Sequence, residues 1–268
     1  MGQHDFQLSD KAAEIYEAQS VSSMFRSLAE KTIDLSTIDS DDVILDVACG
    51  TGIIGRVIHT KFPQIQRLVG TDLNHGMLEV ARKVTSTNSK NFEWYKSDVT
   101  DMPFSDKSFT LIFCQQGLQF FPNKSAALLE IFRILKPRGR LVLTVWSEVS
   151  PLFQIFANTI QDELGKEVAE EALAPFNFKD LDVISSLIKE AGFTNLECKK
   201  LTVNRKVDAN AAAIRSQLGA NPVWEKLESM EAQKRSDIME EIRASLLQYS
   251  EDGVLFIPQI THHIVATA

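Results

Sequence analysis

The first 146 residues alternate short apolar runs with amphipathic segments. The apolar runs end in turn residues, which is typical of strands buried on both faces of a parallel sheet. Five strands are predicted, with the sequences VILDV (43–47), RLVGTDL (67–73), FEWYKSDV (92–99), SFTLIFCQQ (108–116) and GRLVLTVW (139–146). Helices are predicted between them at 53–62, 74–83 and 125–136, the last one closed by Pro137 and Gly139. Because crossovers between parallel strands are right-handed, this array predicts a doubly wound α/β sheet.

A different pattern flanks this array on both sides. Apolar positions at three- and four-residue steps predict one or two helices within residues 10–31. Later segments predict helices at 152–165 and 181–191, a strand at or near a sheet edge at 193–207, an almost wholly helical region at 209–249 and a final antiparallel strand at 255–268. Asn221 and Pro222 break the helical region, which we expect to fold over the sheet as a lid.

These patterns divide the chain into five parts. We predict an N-terminal helical cap at 1–40, a ligand-binding core at 41–150, a helical insert with an edge strand at 151–208, a helical lid at 209–253 and the last strand of the core at 254–268. The predicted fold class is therefore α/β, with a Rossmann-like doubly wound sheet that is mostly parallel, an antiparallel last strand and a helical lid.

The charge balance and the cysteines narrow the range of partners. A formal net charge of −8 would repel a phosphate backbone, so nucleic acid is not an expected partner. The opening MGQHDFQLSD lacks a signal segment, and no apolar run is long enough to span a bilayer, so we expect a cytoplasmic protein without membrane insertion. Cys49, Cys114 and Cys198 are widely spaced, which predicts neither a disulfide framework nor a metal site.

A glycine motif and three acids meet at one edge of the predicted sheet. Gly50, Gly52 and Gly55 follow the first strand as G-x-G-x-x-G, a pattern typical of dinucleotide-binding turns. Aspartates also close the first three strands, at positions 46, 72 and 98. Because ligands of open α/β sheets bind outside the carboxyl ends of the strands, these acids are candidates for ligand contacts.

Asp46 distinguishes between two classes of ligand. Asp72 could accept the ribose hydroxyls of either a dinucleotide or an adenosine compound, so it does not discriminate. A carboxylate at Asp46, four residues before Gly50, would instead repel a pyrophosphate. A ligand with an ammonium and a sulfonium would be attracted, which favours S-adenosylmethionine.

Four ordered motifs carry a resemblance to a known family. The stretches LDVACGTG, GTDLNHGML, KSDVTDMPF and LKPRGRLVL resemble the motifs of class I S-adenosylmethionine-dependent methyltransferases over residues 40–146. The segment CQQGLQFFPN is similar to the small-molecule enzymes related to ubiquinone and menaquinone biosynthesis. The core at 41–150 would then be the part that binds S-adenosylmethionine.

The resemblance implies a role for each residue that matches a motif. The methionine moiety would be lined by Asp46, Ala48 and Gly50, with Gly52 nearby, and framed by Cys114 and Gln115. Asp72 would bind the ribose hydroxyls. The adenine would pack on Leu73 and Met77, and its edge would be recognised by Asp98 and Val99. Ala48 and Cys49 depart from the family pattern, in which many members have glycine at both positions. We expect slightly tighter packing there and retained binding.

No residue stands in a recognisable general-base motif. Tyr16 could cover the methionine end or belong to the core, and Gln119 could orient a substrate or cap a loop. His262 is a further candidate, because at most one of the adjacent His262 and His263 can face a pocket from a strand. Five aromatic residues could line an acceptor pocket or pack in the core, namely Phe120, Phe121, Trp146, Phe153 and Phe176.

The expected function is methyl transfer from S-adenosylmethionine to a small, hydrophobic or aromatic metabolite by direct in-line displacement. One alternative is an NAD-dependent oxidoreductase that uses the same glycine turn. Another is a repurposed methyltransferase-fold protein that binds the cofactor without transferring a methyl group. The only partner expected besides the acceptor is a second copy of the chain, in a homodimer.

Overall fold

One mixed sheet forms the centre of the protein. A computed structural model describes residues 10–85, 92–219 and 221–268. Within these ranges the strands are β1 (Val43–Val47), β2 (Arg67–Asp72), β3 (Phe92–Lys96), β4 (Phe109–Gln115), β5 (Leu135–Trp146), β6 (Thr194–Asp208), β7 (Ser250–Glu251) and β8 (Val254–Thr267). Their order across the sheet is β3, β2, β1, β4, β5, β8 and β6, and β7 pairs with β8.

Helices cover both faces of this sheet. The α-helices in the described ranges are α1 (Asp10–Ile15), α2 (Arg26–Asp34), α3 (Ile53–Lys61), α4 (His75–Val84), α5 (Lys124–Ile134), α6 (Pro151–Leu164), α7 (Lys166–Ala172), α8 (Leu181–Glu190), α9 (Ala211–Leu218), α10 (Trp224–Glu228) and α11 (Ala232–Leu246). Short 3₁₀ turns lie at Leu118–Phe120, Ala174–Phe176 and Leu247–Tyr249.

The strand directions confirm the predicted fold class. The first five strands pair in parallel, β1 with β2 and β4, β2 with β3, and β4 with β5. β8 runs antiparallel between β5 and β6, as the sequence predicts for the last strand, and β6 lies at the edge. One buried core packs α5 and α8 on one face, and a second packs α2 and α3 on the other.

Strand β5 starts earlier than the sequence predicts. The sequence extends the preceding helix to Lys136, whereas α5 ends at Ile134 and β5 begins at Leu135. A residue before proline is disfavoured in the helical region, so Lys136 does not continue the helix, which ends two residues before it at Ile134. Arg138 has a positive φ of 67°, and the pairing with β4 shifts register there, which marks an irregular start to the strand.

The N-terminal helical region contains a long π-helical turn. Residues Tyr16–Phe25 are π-helical and join α1 to α2 without a break. Such i to i+5 helices are rare and are frequently found at functional sites, and neither spacing nor composition predicts one. The first nine residues of the predicted N-terminal cap lie outside the described ranges.

Beyond the end of β5, strands β6 and β8 continue as a two-stranded ribbon. β8 pairs with β5 only as far as Thr261, whereas its pairing with β6 continues to Val254. Helices α6, α7 and α9 to α11 form a separate core with this ribbon, centred on residues such as Phe156 and Leu255. The short α7 and β7 are absent from the sequence prediction. No helix in the described ranges is long and apolar enough to cross a membrane.

Candidate active site

A cavity of about 340 Å³ lies at the carboxyl ends of the parallel strands. Its lining includes the residues that end β1, β2, β4 and β5, together with the turn after β3. Residues of the π-helical turn, α6 and α9 also line it, among them Tyr16, Phe153 and Gln217. Most of the sequence-predicted site residues line this cavity, namely Tyr16, Ala48, Gly50, Asp72, Leu73, Met77, Asp98, Val99, Gln115 and Gln119. Asp46, Gly52, Cys114 and His262 do not belong to the lining.

Asp72 links the end of β2 to the glycine turn. Its Oδ2 accepts a hydrogen bond from the backbone N–H of Gly50 at 2.8 Å, and its Oδ1 accepts one from that of Asn74 at 2.8 Å. Burial raises the pKa of this carboxyl, while the backbone donors partly offset the increase. The side chain therefore orders two loops and still lines the cavity.

Asp46 is a second carboxyl in the same region, and it is more deeply buried. Only 4% of the residue is exposed, and the described residues offer its carboxylate neither a hydrogen bond nor an ion pair. Burial, and next the negative charge of Asp72, raise the pKa of Asp46 well above the usual value. Asp72 in the lining and Asp46 behind it therefore destabilise each other when both are ionised, and no cation of the described residues pairs with either.

The three glycines of the motif have different roles. Gly50 lines the cavity with a φ of 54°, and Ala48, also in the lining, adopts the same unusual φ of 54°. Gly52 has a φ of 80°, and a Cβ there would lie 2.3 Å from the Trp94 ring. At Gly55 a Cβ would lie 2.0 Å from the Phe92 ring. Gly52 therefore makes room for an aromatic side chain of β3 and lies outside the cavity lining.

The third aspartate caps a turn at the cavity wall. The Asp98 Oδ1 accepts hydrogen bonds from the backbone N–H and the hydroxyl of Thr100, at 2.8 and 2.7 Å. Next to it, Leu73 is 42% exposed although it lines the cavity, and Met77 is buried. These apolar side chains lie beside the end of β2, where the resemblance places an adenine.

Cys114 and His262 lie behind the cavity wall. Cys114 is fully buried in the core, where desolvation and the charge of Asp46 raise the pKa of its thiol to about 12. The ring Nε2 of His262 lies 3.0 Å from the backbone oxygen of Lys179, and the residue is buried. Neither side chain reaches the cavity as the sequence-based roles require.

Tyr16 lies at the start of the π-helical turn and lines the cavity. Its ring centroid is 5.4 Å from that of Phe25. Burial, followed by the charge of Asp72, raises the pKa of the phenol well above its usual value. Tyr16 is therefore a hydroxyl at neutral pH and can donate a hydrogen bond.

Two glutamine side chains bring unsatisfied oxygens to the cavity. The buried Oε1 atoms of Gln115 and Gln119 have no hydrogen-bond partner. The amide of Gln119 donates to Gln116 at 2.9 Å, and that of Gln116 donates to the Thr261 hydroxyl at 2.7 Å. Buried acceptors without a donor are costly, so this network is suited to a ligand that supplies one.

Arg205 lines the cavity from β6 and is not among the site residues that the sequence predicts. It is 5% exposed and shares the inward face of β6 with Leu201, Val203 and Val207. Its Nη1 donates to the Gln217 side chain at 2.5 Å, and its Nε has no partner. The available signal was the alternation of LTVNRKV, which places an arginine within an otherwise apolar row.

Aromatic side chains form much of the remaining lining. Phe120, Phe121, Trp146, Phe153 and Phe176 all border the cavity, together with Phe25. The Phe176 centroid lies 5.7 Å from that of Trp146 and 5.2 Å from that of Phe153. The five residues named from the sequence thus surround one space. Within the described ranges no group of three or more His, Cys, Asp or Glu side chains is arranged to hold a metal ion.

Comparisons with known proteins identify the family. A methyltransferase domain matches residues 45–143. The demethylmenaquinone methyltransferase of Staphylococcus carnosus is 31% identical over 170 residues, which cover 59% of this chain and 70% of that relative. The chain belongs to the S-adenosylmethionine-dependent methyltransferases. S-adenosylmethionine is therefore the cofactor of this methyltransferase, and the oxidoreductase alternative does not apply.

Solved structures show how widely the fold of the methyltransferase is shared. The phosphoethanolamine N-methyltransferase 2 of Haemonchus contortus in complex with S-adenosyl-L-methionine superposes with a TM-score of 0.61 at 18% identity, covering 97% of this chain and 57% of that one. The [4+2]-cyclase SpnF superposes with a TM-score of 0.56 at 16% identity, covering 90% and 80%. At these identities the likeness concerns the fold alone, which also supports a cyclase.

The residues of the methyltransferase are suited to this cofactor. The carboxyls of Asp46 and Asp72 are buried without a cation, so a positively charged ligand would favour their ionised forms. The backbone at Gly50 approaches the same space without a Cβ. A dinucleotide with its pyrophosphate would instead add negative charge next to these acids.

Proposed function

We propose that this enzyme transfers the methyl group of S-adenosylmethionine to a small apolar or aromatic acceptor by direct in-line displacement. The observation that carries the proposal is a cavity lined by the buried Asp72 carboxylate, with the Asp46 carboxylate buried behind the lining, and by aromatic side chains along much of its wall. Bound S-adenosylmethionine supplies a methyl carbon on a cationic sulfur, and this sulfur leaves as a neutral thioether when an acceptor lone pair takes the methyl group.

On the donor side, we assign the cofactor contacts to the residues at the ends of β1 to β4. Asp72 accepts hydrogen bonds from the ribose hydroxyls. Leu73 and Met77 pack on the adenine, and Asp98 and Val99 lie at the edge of the adenine. Asp46 acts through its charge from below the lining, which stabilises the cationic end. Ala48, Gly50, Gln115 and Tyr16 enclose the methionine end, and Gly52 and Cys114 shape the turn and the wall from behind.

On the acceptor side, we assign the space between the π-helical turn, the end of β5 and the helices on the ribbon. Trp146, Phe153 and Phe176 exclude water and hold a flat apolar molecule. The Gln119 Oε1 accepts a hydrogen bond from a polar group of the acceptor. Positioning the two reactants supplies most of the rate acceleration, because the methyl group is already activated.

The cavity offers no evident general base. Among the described residues that line it, the ionisable groups are Tyr16, Asp72, Asp98 and Arg205, and no histidine, lysine or glutamate is included. Tyr16 is protonated and the aspartates are assigned to the donor side. The acceptor in this proposal must therefore be nucleophilic without proton removal by the enzyme.

Calorimetric titration with S-adenosylhomocysteine, the product of the transfer, tests the donor side. We expect Asp72→Ala to weaken binding by about 1–3 kcal/mol, because a charged hydrogen-bond partner is lost. Asp41→Ala removes an exposed carboxylate shortly before β1 and is the matched control, with unchanged affinity. Equal affinities of both variants and the wild type would contradict the placement of the ribose.

Transfer of a labelled methyl group tests the reaction itself. The relative from Staphylococcus carnosus is named for demethylmenaquinone, so hydroxylated naphthalenes are the first acceptors to try. Cofactor binding without transfer to any member of a broad acceptor panel would support the repurposed alternative, for which the cyclase on the same fold is a precedent. The cytoplasmic location and the homodimer stay predictions, which cell fractionation and light scattering would check.

A further inference from the structure

Arg205 is a buried cation without an anionic partner. Its guanidinium contacts the Gln217 side-chain oxygen and, at 3.6 Å, the Met24 sulfur. No carboxylate of the described residues forms an ion pair with it, and its Nε is buried and unsatisfied. Burial lowers the pKa of Arg205 to about 10, which still leaves it charged at neutral pH. A buried charge is expensive unless something compensates it.

The position of Arg205 argues against a purely structural role. The strands β1, β4, β5 and β8 separate β6 from β2 in the sheet, so Arg205 and Asp72 reach the cavity from different strands. The Phe153 ring centroid lies 5.9 Å from the guanidinium carbon, which places the cation among the aromatic side chains. Leu, Val or Met at this position would continue the apolar row of β6 without a desolvation cost.

The charges around the cavity thus have opposite signs on its two sides. Acids without a cation lie at β1 and β2, and a cation without an acid lies at β6. Tyr16, on the π-helical turn, is within electrostatic reach of both groups. These charges do not neutralise each other, so the cavity is suited to a cationic group at β1 and β2 and to an anionic group at β6.

We propose that Arg205 binds an anionic oxygen of the methyl acceptor and so determines its class: a flat, apolar molecule that carries one carboxylate or phenolate group. This inference rests on the proposed function, because it assigns the acceptor side of that cavity. The guanidinium fork, with its unsatisfied Nε, can donate two hydrogen bonds to such an oxygen. Where this ionised oxygen is itself the atom that takes the methyl group, no proton has to be removed and the transfer needs no general base.

Binding of matched anionic and neutral probes tests this assignment. The probes are 2-naphthoate against 2-naphthamide, and 4-nitrophenolate against 4-nitroanisole, titrated into the full chain with and without saturating S-adenosylhomocysteine. The pH lies above the pKa of both acidic probes and below that of Arg205. We expect wild type to prefer at least one anion over its neutral counterpart by about tenfold or more, because hydrogen bonds to charged groups are worth that much. The pair that shows the preference identifies the source of the oxygen.

Three variants distinguish a direct contact with Arg205 from a general attraction of anions to positive charge. Arg205→Gln should abolish the preference, and Arg205→Lys should retain part of it because the charge stays while the fork is lost. Lys206→Gln is the matched control, since it removes the neighbouring positive charge from the exposed face of the same strand. We expect this variant to keep the full preference.

Several outcomes overturn the assignment. Equal binding of the anionic and neutral probes by wild type is one, and a preference that survives in Arg205→Gln is another. A loss of S-adenosylhomocysteine affinity in Arg205→Gln comparable to the loss in Asp72→Ala would place the guanidinium on the cofactor carboxylate instead. If wild type did not bind S-adenosylhomocysteine at all, the proposed function would be contradicted. The preference for anionic probes is a separate measurement and tests only the role of Arg205.

Discussion

The two sides of the cavity are built from different kinds of sequence. The acidic side lies within 27 residues of continuous chain, from Asp46 to Asp72, and its acids lie at the carboxyl ends of two adjacent parallel strands. The basic side combines β6, the π-helical turn and α9, which bring Arg205, Met24 and Gln217 into contact from distant parts of the chain. The acidic side is thus a local motif, whereas the basic side exists only after the tertiary structure has formed.

The position of the acidic side is fixed by the sheet, whereas the position of the basic side can change with the loops and helices around it. An acid that closes a parallel strand faces the ligand edge in any fold of this class, so its position follows from strand direction alone. The wall built by the ribbon and its helices depends on loop lengths and packing, which vary without changing the sheet. We therefore expect changes on the acidic side to affect cofactor binding and changes on the basic side to affect acceptor choice.

The largest effect should come from disturbing the packing beneath the acidic side. Gly52→Ala places a Cβ 2.3 Å from the Trp94 ring in a residue with a φ of 80°. Backbone strain and overpacking together should lower the free energy of unfolding by about 3 kcal/mol. Chemical denaturation of the ligand-free protein measures this change.

A second glycine separates strain from steric overlap. Gly253 has the same φ of 80°, but a Cβ added there would have no atom within 4 Å, so Gly253→Ala tests the backbone alone. We expect it to cost about 1 kcal/mol. If both alanine variants lost the same stability, the Trp94 contact would have no part in the effect.

How much the sequence predicts follows the same division. The order of strands and the acids at positions 46, 72 and 98 could be located because period and turn chemistry act over a few residues. Cys114 lies in the sheet one residue before Gln115, yet its side chain points into the core, and the alternation along β4 was the available clue. Arg205 was missed because its neighbours come from the π-helical turn and α9, which no local pattern connects to β6.

Removing the charge of Asp46 should have opposite effects on stability and on cofactor binding. The pKa of Asp46 is raised on folding, so the unfolded chain ionises first, and the folded protein loses stability as the pH rises from the ordinary aspartate pKa towards the raised one. Asp46→Asn removes this loss and should stabilise the ligand-free protein at neutral pH by about 1–2 kcal/mol. Unfolding measured across this pH range should show a smaller decline in the variant.

The same variant should bind the cofactor less tightly. The negative charge that penalises the free protein is the one that attracts a sulfonium, so we expect S-adenosylmethionine affinity to fall about tenfold. Asp41→Asn, at an exposed position before β1, serves as the control and should change neither quantity. Tighter cofactor binding by Asp46→Asn would contradict the electrostatic account of the acidic side.

On the basic side, the charge of Arg205 should also lower the stability of the ligand-free protein, by a smaller amount than the charge of Asp46 does. Arg205→Met replaces a buried, incompletely paired cation by an apolar side chain next to Val203 and Val207. Apolar replacement of a buried charge is often stabilising, and we expect a gain of about 1 kcal/mol in the ligand-free protein. Lys206→Met, on the exposed face, should stay within about 0.5 kcal/mol of wild type. A loss of stability in Arg205→Met would show that the arginine serves the fold.

The smallest expected effect is the coupling between the two sides. Asp46 and Arg205 form no ion pair, and each has burial as the main cause of its pKa shift, so neither compensates the other in the free protein. Stability changes of the double variant Asp46→Asn with Arg205→Met should therefore equal the sum of the single changes within about 0.5 kcal/mol. A double-mutant cycle by chemical denaturation gives this value. A large coupling energy would mean that the acid and the arginine already stabilise each other across the cavity, and the case for two oppositely charged ligands would lose its basis.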